Sequence, residues 1–136
     1  MILGFDPGRD KCGLAVMGSD LQLHDHQVVV ANKAIASILS LLQKFPIATL
    51  VMGDRTTAKQ WQQQLEKVLP VTLKIFMVDE HNSTLEARDL YWQMYPAKGL
   101  TKLLPQGLRE PPRPIDDIVA ILLIKRHLKA INRRES

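Results

Sequence analysis

Carboxylates follow three short apolar runs of this chain. Asp6 closes the run Ile2–Phe5, Asp54 closes Ala48–Gly53, and Asp79 and Glu80 close Thr72–Val78. Asp116 and Asp117 sit just before a fourth apolar stretch, Ile118 to Ile124. Acids gathered at the ends of buried strands repel one another unless a cation neutralises them. Mg²⁺ and Mn²⁺ take oxygen ligands and are typically held by a few carboxylates together with substrate phosphates. Two such ions about 4 Å apart clamp the attacking and leaving oxygens of a phosphodiester. Each acid also has a plainer reading. Asp6 before Pro7-Gly8 is ordinary turn chemistry. Asp54 is a helix-end or surface acid, and Asp79 a solvated strand end. Asp116 or Asp117 at a helix start caps it and complements its dipole. Neighbouring helix residues point about 100° apart, so at most one of that pair faces a site squarely. The coincidence of at least three acids at strand ends favours chemistry; no single residue does.

The elements that must position these acids follow from hydrophobic period and turn chemistry. Ile2–Phe5 and Cys12–Met17 read as strands joined by a Pro-Gly turn, and Gln22–Ala31 as a third strand after Gly18-Ser19-Asp20. These three form an antiparallel meander. Ile35, Ile38, Leu39 and Leu42 then share a helical face, with Asn32 as a candidate cap and Pro46 beyond the end. Ala48–Gly53 is a continuous apolar strand, as expected where helices cover both faces. Trp61, Leu65, Val68 and Leu69 mark a second helix, and Thr72–Val78 a fifth strand. Ser83 and Glu86 match a capping box ahead of a third helix with Leu90, Tyr91 and Met94 on its apolar stripe. Residues 97–114 hold four basic residues, two glycines and four prolines and read as a long irregular surface loop. A last helix begins near Asp116. The order βββ-α-β-α-β-α-loop-α predicts one α/β domain over residues 1–136, a mixed five-stranded sheet with helices on both faces. Ligands of such sheets bind beyond the carboxyl ends of the strands, near the switch in strand order. Here that switch falls between the first and fourth strands.

Composition narrows the partner. The chain has 136 residues, a formal net charge of +4 and a pI near 9.4. From Ala97 onward nine Lys/Arg (Lys98, Lys102, Arg109, Arg113, Lys125, Arg126, Lys129, Arg133, Arg134) face four acids (Glu110, Asp116, Asp117, Glu135). A basic third of this kind suits a polyanion such as nucleic acid, and equally a solvated basic surface. No apolar run is long enough to span a bilayer, and no signal-peptide pattern opens the chain. Cys12 is the sole cysteine, so internal disulfides are excluded and a reducing cytoplasm is expected. A Walker A pattern and a G-x-G-x-x-G are both absent, which argues against a nucleotide-driven enzyme.

The segments LGFDPGRDKCGLAV, VMGDRTT, VDEHNSTLEAR and PIDDIVAILL, in that order, resemble the YqgF family, also called RuvX-like. Its members are assigned as Holliday-junction resolvases and pre-16S rRNA processing nucleases. The resemblance runs from Ile2 to about Leu128. It implies an RNase H-like fold and an acidic triad binding Mg²⁺ or Mn²⁺. By motif the triad falls on Asp6, Glu80 and Asp116, with Asp54 and Asp117 as reserve ligands and Gly8 and Gly13 as the hairpin glycines. Arg55, Arg88, Lys98, Lys102, Arg109 and Arg113 become candidate phosphate contacts. The chain departs from the family where Gly53-Asp54-Arg55-Thr56-Thr57 replaces a glycine-leucine-proline turn, and where His81 replaces an arginine. The implied activity is a metal-dependent endonuclease on structured RNA. A resolvase on branched DNA, which needs two sites and hence a dimer, and a non-catalytic nucleic-acid-binding protein are the alternatives. Monomer and homodimer are both open.

Other residues carry simpler expectations. His24 and His26 alternate along a strand and are read as surface histidines on one face. Trp61, Tyr91 and Trp92 are read as packing residues. Aromatic residues make up 5% of the chain, which argues against binding driven by base stacking alone.

Overall fold

The computed structural model describes residues 1–135. Five strands form one sheet: β1 (Ile2–Asp6), β2 (Lys11–Met17), β3 (Leu23–Val30), β4 (Thr49–Gly53) and β5 (Lys74–Val78). The strand order is β3-β2-β1-β4-β5. β1, β2 and β3 pair antiparallel, while β4 runs parallel to both β1 and β5. The expected meander and switch point are both present. Four α-helices cover the sheet: α1 (Ala34–Lys44), α2 (Ala58–Val68), α3 (Ser83–Met94) and α4 (Asp116–Glu135).

Strand alternation sorts the core into two layers. Leu3, Phe5, Leu14, Val16, Leu50 and Met52 face α1 and α2, where they meet Ile38, Leu41 and Leu65. Ile2, Ala15, Met17 and Val51 face α3 and α4 and meet Ala87, Tyr91 and the buried run Ile118 to Ile121. Trp61 packs edge-on to Phe5 at 5.3 Å between ring centroids, so it is a core residue, as its helical spacing predicts.

The α4 side of the sheet is lined by its smallest residues. A Cβ on Gly4 would overlap the Ala120 carbonyl oxygen, and one on Gly13 would overlap the backbone of Asp116. The helix therefore lies directly on the strands, crossing from β2 at its first turn to β1 one turn later. Gly13 is a strand residue opposite Asp6 rather than part of the turn itself. Gly8 occupies the turn, where a side chain would collide with the Lys11 carbonyl.

Several local expectations change. Asn32 does not cap α1; it lies in a short 3-10 turn, Ala31–Lys33, that leads into the helix. Ser83 is the first residue of α3 rather than its cap. Asn82 occupies the cap position in the left-handed region (φ 57°), which asparagine tolerates, so the capping box does not form. Val68 faces solvent, while Leu65 and Leu69 carry the buried stripe. The 97–114 loop contains two 3-10 turns, Gly99–Leu103 and Gln106–Leu108. It is fastened to α3 by Trp92 Nε1 donating to the Arg109 carbonyl and Gln106 Nε2 donating to Asp89. His24 and His26 do not share a face. A bulge in β3 opposite Val16 and Met17 skips one residue, turning His24 towards Phe45 and His26 towards α4. Among the described residues no helix is long and apolar enough to cross a membrane.

Gly4→Ala is expected to destabilise the fold by about 1–3 kcal/mol, since the methyl group meets backbone that cannot rotate away. The readout is a lower urea midpoint. Gly107→Ala, where nothing lies within 4 Å, is the control and should shift stability by less than about 0.5 kcal/mol. An unchanged midpoint for Gly4→Ala would mean that α4 does not sit this close to the sheet.

Candidate active site

β1, β4 and β5 end side by side, with Gly53 in register with Val78 and Phe5 with Met52. Asp6, the last residue of β1, points to the α4 side and is only 4% exposed. Glu80 lies two residues beyond β5, is 7% exposed, and folds its carboxylate over Gly53. Any side chain at position 53 would occupy the space of that carboxylate, so glycine here is a requirement of the site.

The backbone of Glu80 is held from every side. Its N–H donates to Asp54 Oδ1 at 3.3 Å, and its carbonyl accepts the Ser83 N–H at 2.9 Å. The flanking carbonyls of Asp79 and His81 accept from Arg126 Nη1 and Nη2, each at 2.7 Å. Asp79 turns back to accept the His81 N–H. In contrast, the side-chain oxygens in the same place are left over. Asp6 Oδ1 and both Glu80 carboxylate oxygens are buried without a hydrogen-bond partner. Arg55 Nε stands 3.2 Å from Glu80 Oε2, an ion pair whose N–H does not aim at the oxygen. Buried polar atoms are nearly always bonded, so three orphans in one cluster need an explanation.

The electrostatics agree with that geometry. Burial, then the facing Glu80 carboxyl, then Asp116 push Asp6 from 3.8 up to about 8, with Arg55 only partly opposing. Asp116 is also raised, by burial first and by the charge of Asp117, against its own backbone amide, Lys11 and Arg55. Asp117 behaves oppositely. Burial raises it, but Arg113 and His26 outweigh burial and hold it below the ordinary range. Its Oδ1 accepts from Arg113 at 2.9 Å and its Oδ2 lies 2.7 Å from His26 Nδ1.

The expected site residues therefore divide. Asp6 and Glu80 face each other, and Asp116 stands within electrostatic reach without bonding either. Among the described residues no three acid, histidine or cysteine side chains are grouped closely enough to hold a metal ion. Asp117 has both oxygens engaged, and Asp54 is exposed and turned to the Glu80 amide, so each supports the site instead of facing into it. Of the candidate phosphate contacts, Arg55 is on the rim of the cluster and also reaches Ser83 Oγ at 3.4 Å. Arg109 donates to the Leu104 and Lys102 carbonyls and so staples the loop. Arg113 is spent on Asp117 and the Pro114 carbonyl and lies over the rings of Tyr91 and Tyr95. Lys98 and Lys102 are exposed on the loop, and Arg88 is half-buried on α3. Sequence reasoning missed His26, Lys11 and Arg126. The bulge that turns His26 inward has no pattern in the strand, and the partners of Arg126 lie 45 and 47 residues away.

The orphaned oxygens fit a hard divalent cation. Asp6 and Glu80 offer an all-oxygen donor set beside Asp116, with Glu80 pre-positioned by its backbone.

No family model matches the chain, and no curated protein matches it in sequence. The fold itself, a five-stranded mixed sheet with an antiparallel meander and helices on both faces, is of the RNase H-like class. Among solved structures it is similar to RuvC from Thermus thermophilus, at 16% identity and a TM-score of 0.52. The match covers 99% of this chain and 96% of RuvC. At that identity the likeness carries the fold.

Because the folded-state value of Asp6 lies above its ordinary one, the native protein keeps a proton that the unfolded chain releases between 3.8 and about 8. The stability tied to that proton is complete below the lower value and is lost as pH rises through the upper one. In EDTA the melting temperature should fall between about pH 4 and pH 8 and level off above that. Asp6→Asn should flatten the fall and be the more stable protein at the alkaline end. A wild-type midpoint that rises across that range would contradict the facing carboxyl pair.

Proposed function

We propose that the chain is a nuclease of the YqgF or RuvX type, hydrolysing phosphodiester bonds in structured nucleic acid with Mg²⁺ or Mn²⁺. Precursor 16S rRNA is the substrate we favour. The observation that carries the reading is the contrast at Glu80: a backbone fixed on every side and carboxylate oxygens left without partners beside those of Asp6.

Asp6 and Glu80 would hold the cation, with Asp116 completing the donor set from the first turn of α4. When bound, the ion supplies the positive charge that polarises a phosphoryl group and acidifies water. The residues of the chain do the rest. Asp54 and Arg126 keep Glu80 aimed at Asp6. Arg55, exposed on the rim, balances Glu80 without a fixed hydrogen bond and is free to turn to a phosphate. Asp6, which retains its proton beside Glu80, would have to release it to hold a cation, so loading would be favoured by rising pH. Hydrolysis joins a water oxygen to phosphorus and breaks the P–O3′ bond, leaving a 5′-phosphate and a 3′-hydroxyl. Exposed cations such as Lys98 and Lys102 hold the backbone without reading sequence. We place this activity in the cytoplasm, in a chain that works as a monomer on RNA. The likeness to RuvC favours a second reading, a resolvase on branched DNA, which requires a homodimer. The absence of such a close group of three among the described residues supports a third, binding without cutting.

One cleavage assay separates them, using end-labelled pre-16S leader RNA, a four-way DNA junction and unstructured controls in Mg²⁺, Mn²⁺ or EDTA. Cutting should need the metal and fall by about a hundredfold or more in Asp6→Asn. Asp54→Ala, which removes the acceptor of the Glu80 N–H, should weaken metal affinity by about 10- to 100-fold. Preferred cutting of the junction by a dimer would establish the resolvase instead. Salt-sensitive binding with no cutting in either metal would leave the non-catalytic reading.

A further inference from the structure

Beyond the acidic cluster the sheet ends in an open edge. β5 is the last strand, and its outer side has no partner among the described strands. α4 crosses above it and carries on past it. Between them runs a groove of about 750 Å³ that begins at Asp79 and His81, the residues on either side of Glu80. Its floor is apolar and partly aromatic. Phe76 is 40% exposed there, and the His127 ring lies 4.9 Å from it, tilted by 40°. Lys129 and Arg134, both exposed, line it from the last turns of α4; of its two acids, Glu86 is ion-paired with Arg126 at 3.0 Å and Asp79 accepts the His81 N–H. Burial, then the charge of Arg134, lowers the proton affinity of His127, so the ring beside Phe76 is neutral at pH 7.

We propose that this groove binds a single-stranded nucleic-acid segment flanking the cleaved bond, with bases on the Phe76–His127 ring pair and phosphates on Lys129 and Arg134. The proposal rests on the nuclease reading only for what that strand is attached to. Three features select the occupant. Exposed ring faces stack on bases and have no such use for a duplex, whose bases are already stacked. Cations spaced along one wall match a phosphate backbone. The groove is lined by Asp79 and His81, the neighbours of Glu80 in the chain, so it lies next to the turn that presents that carboxylate. The substrate class that follows is a structured nucleic acid with an unpaired strand next to the cut, not a continuous helix. A second copy of the chain adding a strand to the β5 edge would use the same surface differently, through backbone pairing and not through Lys129.

The test is fluorescence anisotropy in EDTA, where no cleavage occurs. The probes are a labelled 12-nucleotide single strand, as DNA and as RNA, and the blunt duplex of the same sequence. The single strand, in whichever sugar, should bind more tightly than the duplex. Phe76→Ala should weaken it by about tenfold. Lys129→Gln and Arg134→Gln should each lower the slope of log affinity against log salt by about 0.7. All three positions are at the surface, so the variants retain the fold. Wild-type affinity and slope in every variant would overturn the proposal while leaving the nuclease reading intact. So would equal or tighter binding of the duplex, or a protein dimer that Phe76→Ala dissociates. Groove-dependent binding by a protein that never cuts would keep the groove and reject the nuclease.

Discussion

Two carboxyl groups buried face to face at the ends of parallel strands are the constraint around which this molecule is built. Asp6 and Glu80 cannot both be charged in so little water without a counter-charge, and burial alone disfavours either anion. The protein holds them there through covalent geometry and backbone bonds. Asp6 is fixed because it ends β1, paired with Gly13 on one side. Glu80 is fixed because the turn around it is tied to Asp54, Ser83 and Arg126. The proton that Asp6 retains is shared with Glu80 in a hydrogen bond between the two carboxyls, and the surrounding backbone holds the pair together. Strain of this kind, held by the surrounding fold, sets the pair apart from a chance pair of surface acids and is what the proposed cation would relieve.

The glycines decide whether such a site is possible. Gly53 leaves the space that the Glu80 carboxylate fills, and Gly13 lets the first turn of α4 rest on β2. With alanine at position 13, Asp116 would be pushed away from Asp6 and its charge would no longer reach it. Asp117 then has a distinct task from its neighbour. It anchors the helix start through His26 and Arg113, drawing β3 and the end of the loop against α4. The two adjacent aspartates, pointing about 100° apart, thus divide into one that faces the cluster and one that holds the helix.

The sheet order and the convergence of Asp6 and Glu80 were legible because strand alternation, turn chemistry and the parallel βα units all act over short distances in sequence. An acid at the start of the last helix was legible too, but the choice of Asp116 over Asp117, like that of Glu80 over Asp79, came from the resemblance to a family and not from the residues alone. The supporting residues were not. His26 reads as a surface histidine because a bulge, invisible in LHDHQVVV, reverses the face of the strand. Arg109 and Arg113 read as free cations because a basic, proline-rich loop shows nothing of the carbonyls and rings its guanidinium groups will find. Arg126 reads as one more charge on a basic helix, yet it closes the turn that presents Glu80. Long-range partnerships of long side chains leave no period in the sequence.

α4 ties these regions together by polarity. Its first turn carries Asp116 and Asp117, and its last turn carries Arg133 and Arg134. Each end complements the helix dipole, so the arrangement stabilises the helix whatever its function. The same polarity also answers a difficulty of the site. An acidic cluster repels the phosphate backbone it is proposed to cut, and before a cation binds nothing in the cluster attracts that backbone. In the proposed reading the basic end of α4 would attract a polyanion independently of the metal and hold it beside the turn that carries Glu80. Because α4 is a single continuous helix lying on Gly4 and Gly13, the distance between the attracting end and the acidic end is set by the sheet. One rigid helix laid across the central strands therefore fixes the distance between the two ends on which the proposed function depends: the basic end that would draw in a nucleic-acid strand and the acidic end that would meet its backbone.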